Sequence, residues 1–548
     1  MSPLSPSQVK QLRACDKQLL EQFSKAFPQL RRRSIWRNKQ VERTAAKVVA
    51  ELKGLESFKR IAVKKGLFEI RFERKRWVDS DGERRPFTLA RAASTDMFPM
   101  GTHFWLRDNT IIGARLLRSR ELRQQRRGRD LLLSCLTFIS SVAQRKRFEA
   151  IIRSRSTTFI HNVDNWPRVF TAVADNLTTQ GHEGWSHKQD AWQMLAWYVL
   201  RALEDGRISH GDLTTKHRYF LGLVVPFLAK VSFWKSENSG SWEEIAAIRT
   251  SVRAWEHRLI VRLSELSSQS RYRYLRTGYS RQRRYLGPRF RKTDLQGAVA
   301  ILDREASRAM LKDLPFESPM YPRGDARFRR GDAALIYLLD LDYVAFLGLR
   351  TGRSQSWIQR MEARLLKEIV ALQDDRSGGL YRYRRDSYQR CGYFRALTTA
   401  KVTEVYSAPS GDASKDFLLR DRLVPRGRQA AWTHFVWQLA AWAGGRFLTT
   451  KETRYAALNS RFFKQGLALI TGVEGSIDLD AQWQPRIIRV GSWRMPECYI
   501  ADVSSDGVEM IFPSPHTPLN WAVVEMVNAF RVREDVLRLL EKKRKKKN

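Results

Sequence analysis

What most constrains this chain is a long succession of helix-length stretches with apolar residues at helical spacing, several of them apolar on nearly every face. Such stretches run at 128–147, 186–205, 212–233, 241–267, 295–313, 328–349, 355–373, 427–447, 452–472 and 517–541. Segments such as AWQMLAWYVLRAL and AAWTHFVWQLAAWAG have no polar face to give to water, so they are expected between other helices. There is no βαβ alternation, which argues against a parallel sheet. There is also no strict short-period repeat, which argues against a solenoid of near-identical units. About a dozen helices with long, irregular loops predict helix pairs closed into a toroid, an all-α fold.

The flanks read differently. The N-terminal segment, residues 1–86, carries 22 basic residues against 10 acids. Helical spacing is expected over 6–53, followed by alternating short strands over FKRIAVKKGLFEIRFERKRWVDSDGERRPFTL with a turn at SDGE. The expected main domain is 87–541, and the basic end, residues 542–548, is expected to be disordered. The stretch RYRYLRTGYSRQRRYLGPRFRK, residues 271–292, holds nine basic residues, five aromatics and no acid. Charge with interleaved aromatics can bind single-stranded nucleic acid. A solvated surface loop that helps border the funnel of the toroid, or an oligomer contact, is the expectation preferred here.

Charge bounds the partners. Lys and Arg total 98 against 57 acids, a formal net charge of +41. Such a surface attracts polyanions, but the excess is spread along the chain and names no single one. The four cysteines, Cys15, Cys135, Cys391 and Cys498, lie far apart with no metal-ligand spacing. A disulfide framework and a zinc site are therefore not expected. No apolar leader is visible at the N-terminus, and the longest apolar runs are too short to span a bilayer. The expected location is the cytoplasm, without membrane contact.

Chemistry is concentrated where tryptophan meets acids. The chain has 17 Trp, and many stand beside polar residues, as in HFWLRDN, GWSHKQDAW, GSWEE, GSWRMPE and PLNWA. Flat indole faces beside Asp, Arg and Glu suit a sugar ring and its hydroxyls, and ligand sites combine apolar walls with a few placed polar groups. Glycoside hydrolysis needs two carboxyls, one protonated to deliver a proton and one ionised. Glu243 in SGSWEEIAAIRT and Glu497 in RMPECYIAD are the candidates, as acid and base.

In five blocks, in order, the chain resembles glycoside hydrolase family 15, the glucoamylases and their relatives, including the glucoamylase-like domain of phosphorylase kinase regulatory subunits. FWLRDNT is similar to the W-x-R-D block, which implies sugar contacts for Arg107 and Asp108. HKQDAWQML is similar to the second block and implies a place near the sugar for Asp190. SGSWEEIAAIRT resembles the L-W-E-E block. The implied roles are general acid for Glu243 and sugar binding for Glu244, beside Trp242. YRYRRDSY is similar to G-R-Y-x-x-D-x-Y, implying Arg382 on sugar hydroxyls, supported by Tyr383, Asp386 and Tyr388. MPECYIAD…TPLNWAVVEMV resembles the last block, implying Glu497 as general base with Trp521 nearby. The resemblance implies an (α/α)6 barrel and an inverting, exo-acting α-glucosidase that needs no cofactor or metal and acts on α-glucans or oligosaccharides. Inversion implies carboxyls about 6.5–9.5 Å apart. The same barrel in the kinase-subunit relatives implies the alternative of a non-catalytic glucan-binding or regulatory protein. Departures from the pattern are Gly240, where many members have Asp, Cys498, where the base is usually followed by Gln, and QAAWTHFVW, which keeps Trp432 but lacks the block's Pro and Glu.

Overall fold

The computed structural model describes residues 19–31, 38–78, 84–91, 103–162, 165–167, 170–172, 189–238, 240–242, 246–323, 325, 327–384, 386, 430–479, 485–503, 507 and 509–546. Two helices, α1 (Lys39–Ala45) and α2 (Leu52–Lys64), and the antiparallel hairpin of β1 (Phe72–Val78) and β2 (Arg84–Ala90) come first. A short pairing of β3 (His103–Trp105) with β4 (Phe170–Ala172) follows. Helices then dominate. They are α3 (Leu106–Leu117), α4 (Leu122–Ile139), α5 (Val142–Arg153), α6 (Gln189–Glu204), α7 (Thr215–Val231), α8 (Thr250–Ser267), α9 (Arg273–Gln282), α10 (Leu295–Asp313), α11 (Ile336–Asp340), α12 (Tyr343–Arg350), α13 (Gln355–Val370), α14 (His434–Thr450), α15 (Thr453–Ala468) and α16 (Asn520–Lys545).

Six of these close a ring: α3 packs on α6, α6 on α8, α8 on α11, α11 on α14, α14 on α16, and α16 back on α3. The others back them from outside. α4 lies on α3 and α6, α7 on α8, α10 on α8, α13 on α11, α15 on α14 and α16, and α2 on α16. This is an (α/α)6 barrel. The ring helices are those that the sequence makes apolar on nearly all faces: residues 190–200 of α6 and 434–440 of α14 are buried throughout.

The ring's axis is not hollow. Arg115 of α3 donates through Nε to Glu525 of α16 at 3.0 and 3.1 Å and through Nη2 to Asp340 of α11 at 3.0 Å. Tyr198 of α6 donates to Asp340 at 3.1 Å, and Gln438 of α14 donates to Glu525 at 3.0 Å. One guanidinium thus ties five of the six ring helices. Burial would push the Asp340 carboxyl up, but Arg115 and then Arg118 outweigh it and hold it below its ordinary value.

Several expectations are corrected. FKRIAVKKG is not strand: α2 runs to Lys64, because Leu55, Phe58 and Ala62 recur at helical spacing and are all buried. Phe58 meets Phe530 and Trp493, each at 5.4 Å between ring centroids, so the N-terminal helix shares the barrel's core. The stretch expected over 128–147 is two helices, α4 and α5, parted at Ser140 and Ser141. α8 starts at Thr250 rather than at 241. The basic end is helical as far as Lys545, where Lys542 to Lys545 occupy the last turn and suit the negative end of the helix dipole. Strands unforeseen in the sequence appear after α15: β7 (Glu474–Leu479) with β8 (Pro485–Val490), and β9 (Cys498–Val503) with β10 (Glu509–Pro513).

Residues 271–292, expected to be a surface loop, form α9 and a short helix, Pro288–Arg291. α9 lies against α7 at a crossing of two glycines. A Cβ on Gly278 would stand 2.6 Å from the Cα of Gly222. Gly278→Ala should therefore force the helices apart and cost about 1–3 kcal/mol, the usual range for overpacking. Gly287→Ala, where a Cβ meets nothing within 4 Å, should stay within about 0.5 kcal/mol of the parent. Urea midpoints of the two variants check the contrast.

Candidate active site

The chain enters the six ring helices at one end, and there the candidate residues gather. Arg107 and Asp108 lie in the first turn of α3, Asp190 in that of α6, His434 and Trp521 in those of α14 and α16. The turn Gly240–Trp242 precedes α8, and Asp332 precedes α11. A four-stranded sheet in the order β10-β9-β6-β5 supplies the remainder, with β5 (Leu380–Tyr381) and β6 (Ala431–Trp432). Leu380 pairs with Trp432 and Trp432 with Cys498, so Trp432 stands between the strand that Arg382 follows and the strand that Glu497 precedes.

Four aromatic rings form one cluster. The Trp242 and Trp432 centroids are 5.8 Å apart, Trp432 and His434 5.4 Å, and His434 and Trp521 4.1 Å. Two guanidiniums flank it. That of Arg382 lies 5.3 Å from the Trp242 ring and 5.7 Å from the Trp432 ring, and that of Arg107 lies 5.3 Å from the Trp521 ring.

Each charge is oriented. Arg382 forms a two-pronged pair with Asp386 at 2.7 and 2.6 Å, the geometry that fixes a guanidinium plane. Arg107 donates to the Ser241 carbonyl at 2.5 Å and lies 3.6 Å from Asp108 and 3.9 Å from Asp190. Ser241 donates its hydroxyl to Asp190 at 2.9 Å. The residue before Trp242 is therefore held from two ring helices. Trp242 itself donates its indole N–H to Asp332 at 2.7 Å.

Glu497 is buried and lies just before β9. The Ser514 hydroxyl donates to its Oε2 at 3.1 Å, and the Cys498 sulfur stands 4.0 Å away. Its backbone is fixed by Thr433 N–H, which donates to the Glu497 carbonyl at 3.1 Å, and by the His516 carbonyl, which accepts from Glu497 N–H at 3.2 Å. Burial, then the Glu497 charge, pushes the Cys498 thiol well up, and Arg382 and Asp386 act on the same sulfur from nearby. Cys498 is thus a protonated neighbour of the carboxylate.

The structure brings Arg107, Asp108, Asp190, Trp242, Arg382, Tyr383, Glu497 and Trp521 to this one end of the barrel. Tyr383 serves differently from Arg382: its ring lies under the Arg329 guanidinium, 3.5 Å from the centroid. Glu243, Glu244 and Tyr388 lie outside the described residues. The segment that carries the two glutamates is pinned at its ends by a two-way backbone pairing of Asn238 with Ala247, both bonds 2.9 Å. Gly240 has a structural reason. Its φ is +62°, and a Cβ there would stand 2.7 Å from Cδ of Arg249, so the Asp common at this place in the resembled family does not fit this turn without moving Arg249.

Three further residues belong to the site that sequence reasoning missed. Asp332 takes the Trp242 indole N–H on one oxygen and Arg329 on the other at 3.1 Å. Its backbone pairs with Tyr383, and Ala333 N–H donates to the Arg382 carbonyl at 2.7 Å. It therefore joins the Trp242 turn to the Arg382 strand. Glu317, fully buried behind it, accepts from the Ser251 hydroxyl at 2.6 Å and from the Ser251 N–H at 3.0 Å. Burial first, and then the Asp332 charge, raises its carboxyl to about 7 against the pull of Arg249. His434 is the third. Burial and then Arg107 hold its imidazole far below the ordinary value, so it is neutral at pH 7. The one sequence signal was for Asp332: an Asp before an apolar run is a helix-start mark, and it caps Ala334 N–H at 2.9 Å.

Polar capacity remains unused around the rings. Both nitrogens of His434, the indole N–H of Trp521, Oδ1 of Asp190 and the Tyr337 hydroxyl are buried without a hydrogen-bond partner among the described residues. Tyr337 belongs to the same group, since Arg107 and Asp190 act on it electrostatically. Natural proteins leave few such groups unpaired, and those that persist call for an explanation.

No protein-family model matches this chain. No curated protein matches it in sequence. Solved structures do. A glycosidase in complex with glucose is 13% identical over 82% of this chain and 92% of its own, with a TM-score of 0.47. A glucoamylase from Saccharomycopsis fibuligera is 11% identical over 82% and 89%, with a TM-score of 0.45. A bacterial glucoamylase complexed with acarbose is 13% identical over 88% and 56%, with a TM-score of 0.40. These neighbours are glycosidases. Among the described residues of this chain, no helix is long and apolar enough to cross a membrane, and no group of His, Cys, Asp or Glu is arranged to hold a metal ion.

Proposed function

We propose that the chain is a glycoside hydrolase of glucoamylase type, an exo-acting α-glucosidase that works with inversion on α-glucans or their oligosaccharides. The observation that carries this reading is the Trp242–Trp432–His434–Trp521 ring cluster, flanked by the Arg107 and Arg382 guanidiniums at the end of the barrel where Glu497 also lies. A sugar ring offers an apolar face to stack and hydroxyls that both donate and accept. Arg107 and Arg382, held by acids, are rigid donors for the same hydroxyls.

In this reading the Glu243 carboxyl gives its proton to the glycosidic oxygen as the bond to the anomeric carbon breaks. A water attacks that carbon from the opposite face and passes a proton to Glu497. The products are a β-configured sugar and the shortened chain. Glu497 suits the base: a carboxylate held by the Ser514 hydroxyl keeps an oxygen for the water. Glu244 and Asp108 serve as further sugar contacts, and no metal or cofactor takes part.

The test is to incubate the purified protein with α-linked oligosaccharides and follow proton NMR from the first turnovers. Release of β-glucose is expected. Early α-glucose would reject inversion and the role given to Glu497. Binding of maltooligosaccharides without any release would point instead to a non-catalytic glucan-binding protein on the same barrel.

A further inference from the structure

Asp332 is fully buried at the start of the short helix Ala333–Leu335 that leads into α11, so it offers no surface to a sugar. Four links nevertheless run from it to Arg382 and Tyr383, the two residues that follow β5. The backbone makes two of them. Asp332 pairs with Tyr383, and Ala333 donates its N–H to the Arg382 carbonyl at 2.7 Å. The carboxylate makes the other two. Oδ1 accepts the Trp242 indole N–H at 2.7 Å, and the Arg382 guanidinium lies 5.3 Å from the Trp242 ring. Oδ2 accepts from Arg329 at 3.1 Å, and the Arg329 guanidinium lies 3.5 Å from the Tyr383 centroid.

These links restrain different things. The backbone bonds fix where the Arg382 main chain stands. The guanidinium sits at the end of a long side chain with much rotamer freedom to lose. Asp386 clamps it in two places, at 2.7 and 2.6 Å, and the Trp242 and Trp432 rings flank it. The Trp242 ring can act as a flank only while its own plane is held. The bond to a buried carboxylate is charge-assisted, and it holds the plane from the N–H edge. Without that acceptor the ring would keep a buried N–H unpaired, which favours turning it elsewhere.

We propose that Asp332 is a positioning residue for sugar recognition: through the Trp242 indole it sets the plane in which the Arg382 guanidinium meets sugar hydroxyls. The proposal deepens the functional reading above and rests on its assignment of Arg382 as a sugar contact. Asp332 also caps Ala334 N–H at 2.9 Å. A helix cap acts on stability; it does not make sugar affinity depend on Arg382.

A double-mutant cycle separates the two roles. Maltotriose is titrated calorimetrically into the full chain, in a Glu497→Gln background so that the sugar is not consumed. Arg382→Ala should weaken binding at least about tenfold, as loss of a charged hydrogen-bonding partner does. Asp332→Ala should weaken it about tenfold in the presence of Arg382 and less than about twofold once Arg382→Ala is already in place. Asp332→Asn keeps an oxygen for the indole and for Ala334 N–H, so it should stay within a few fold of the parent. Should Asp332→Ala not fold, Trp242→Phe cuts the same link from the ring side and is expected to show the same dependence on Arg382. The proposal is overturned by unchanged affinity in Asp332→Ala, by an undiminished loss in the Arg382→Ala background, or by an equal loss in Asp332→Asn. Unchanged affinity in Arg382→Ala, or no maltotriose binding at all, would reject the sugar assignment of Arg382 itself and take the proposal with it.

Discussion

Glu497→Gln is expected to reduce turnover of an α-glucoside by about 10²–10⁴-fold, the usual contribution of a positioned general base, while glucan affinity stays within a few fold. Glutamine keeps the shape and can still accept from the Ser514 hydroxyl, which now stands 3.1 Å from Oε2. Its backbone contacts to Thr433 and His516 do not involve the side chain at all. What it loses is the capacity to take a proton from water. A loss in turnover with unchanged affinity assigns the residue to the transition state rather than to binding. Equal loss of both, or a lowered unfolding midpoint, would instead place Glu497 among the residues that only hold the sheet together.

Glu317→Gln is expected to change how stability depends on pH. In the folded chain burial and Asp332 raise this carboxyl from an ordinary 4.5 to about 7. The native state then holds a proton that the unfolded state has released between those values. Its stabilising contribution is complete below about pH 4.5 and is lost as pH rises through about 7, so stability falls with pH across that interval. The displacement corresponds to about 3 kcal/mol. Glutamine stays neutral throughout and can keep both contacts to Ser251. The variant should therefore match the parent near pH 4.5 and exceed it above pH 7 by up to about that amount. Denaturant midpoints measured from pH 4.5 to 8 read this directly. A constant difference across the range would mean that Glu317 does not titrate there. Because Asp332 holds the Trp242 indole at 2.7 Å, ionisation of Glu317 also sets two like charges behind that tryptophan.

The ring was legible because its helices are apolar all round, and that composition has few other uses in a chain without membrane-length runs. α9 was not legible. Tyr272 just before it and its own buried positions Leu275, Tyr279 and Gln282 keep helical spacing, but the arginines between them give it the composition of a solvated loop. The strands after α15 escaped because each is five or six residues long, too short for alternation to outweigh a neighbouring helix. Within the site, Arg107, Asp190 and Arg382 were legible through the resemblance of their blocks to family 15, and Glu497 also as a carboxyl beside aromatic residues. Asp332, Glu317 and His434 did not. Their significance lies in what they touch: an indole N–H, another carboxyl, and the space between two tryptophans. Those relations exist only once distant segments meet.

The knot at Arg115 gives the barrel a closed floor. Because one guanidinium and its partners bridge five ring helices across the axis, nothing the width of a sugar chain can pass through. Among the described residues, the axis offers the candidate site no passage to the far end of the barrel. In the exo-acting reading proposed above, a glucan would present a terminus at the open end, surrender a unit, and back away far enough for that unit to escape. On that reading the rate of each cycle would be tied to the emptying of the site, and the count of free ends, rather than the mass of glucan, would measure how much substrate the protein sees.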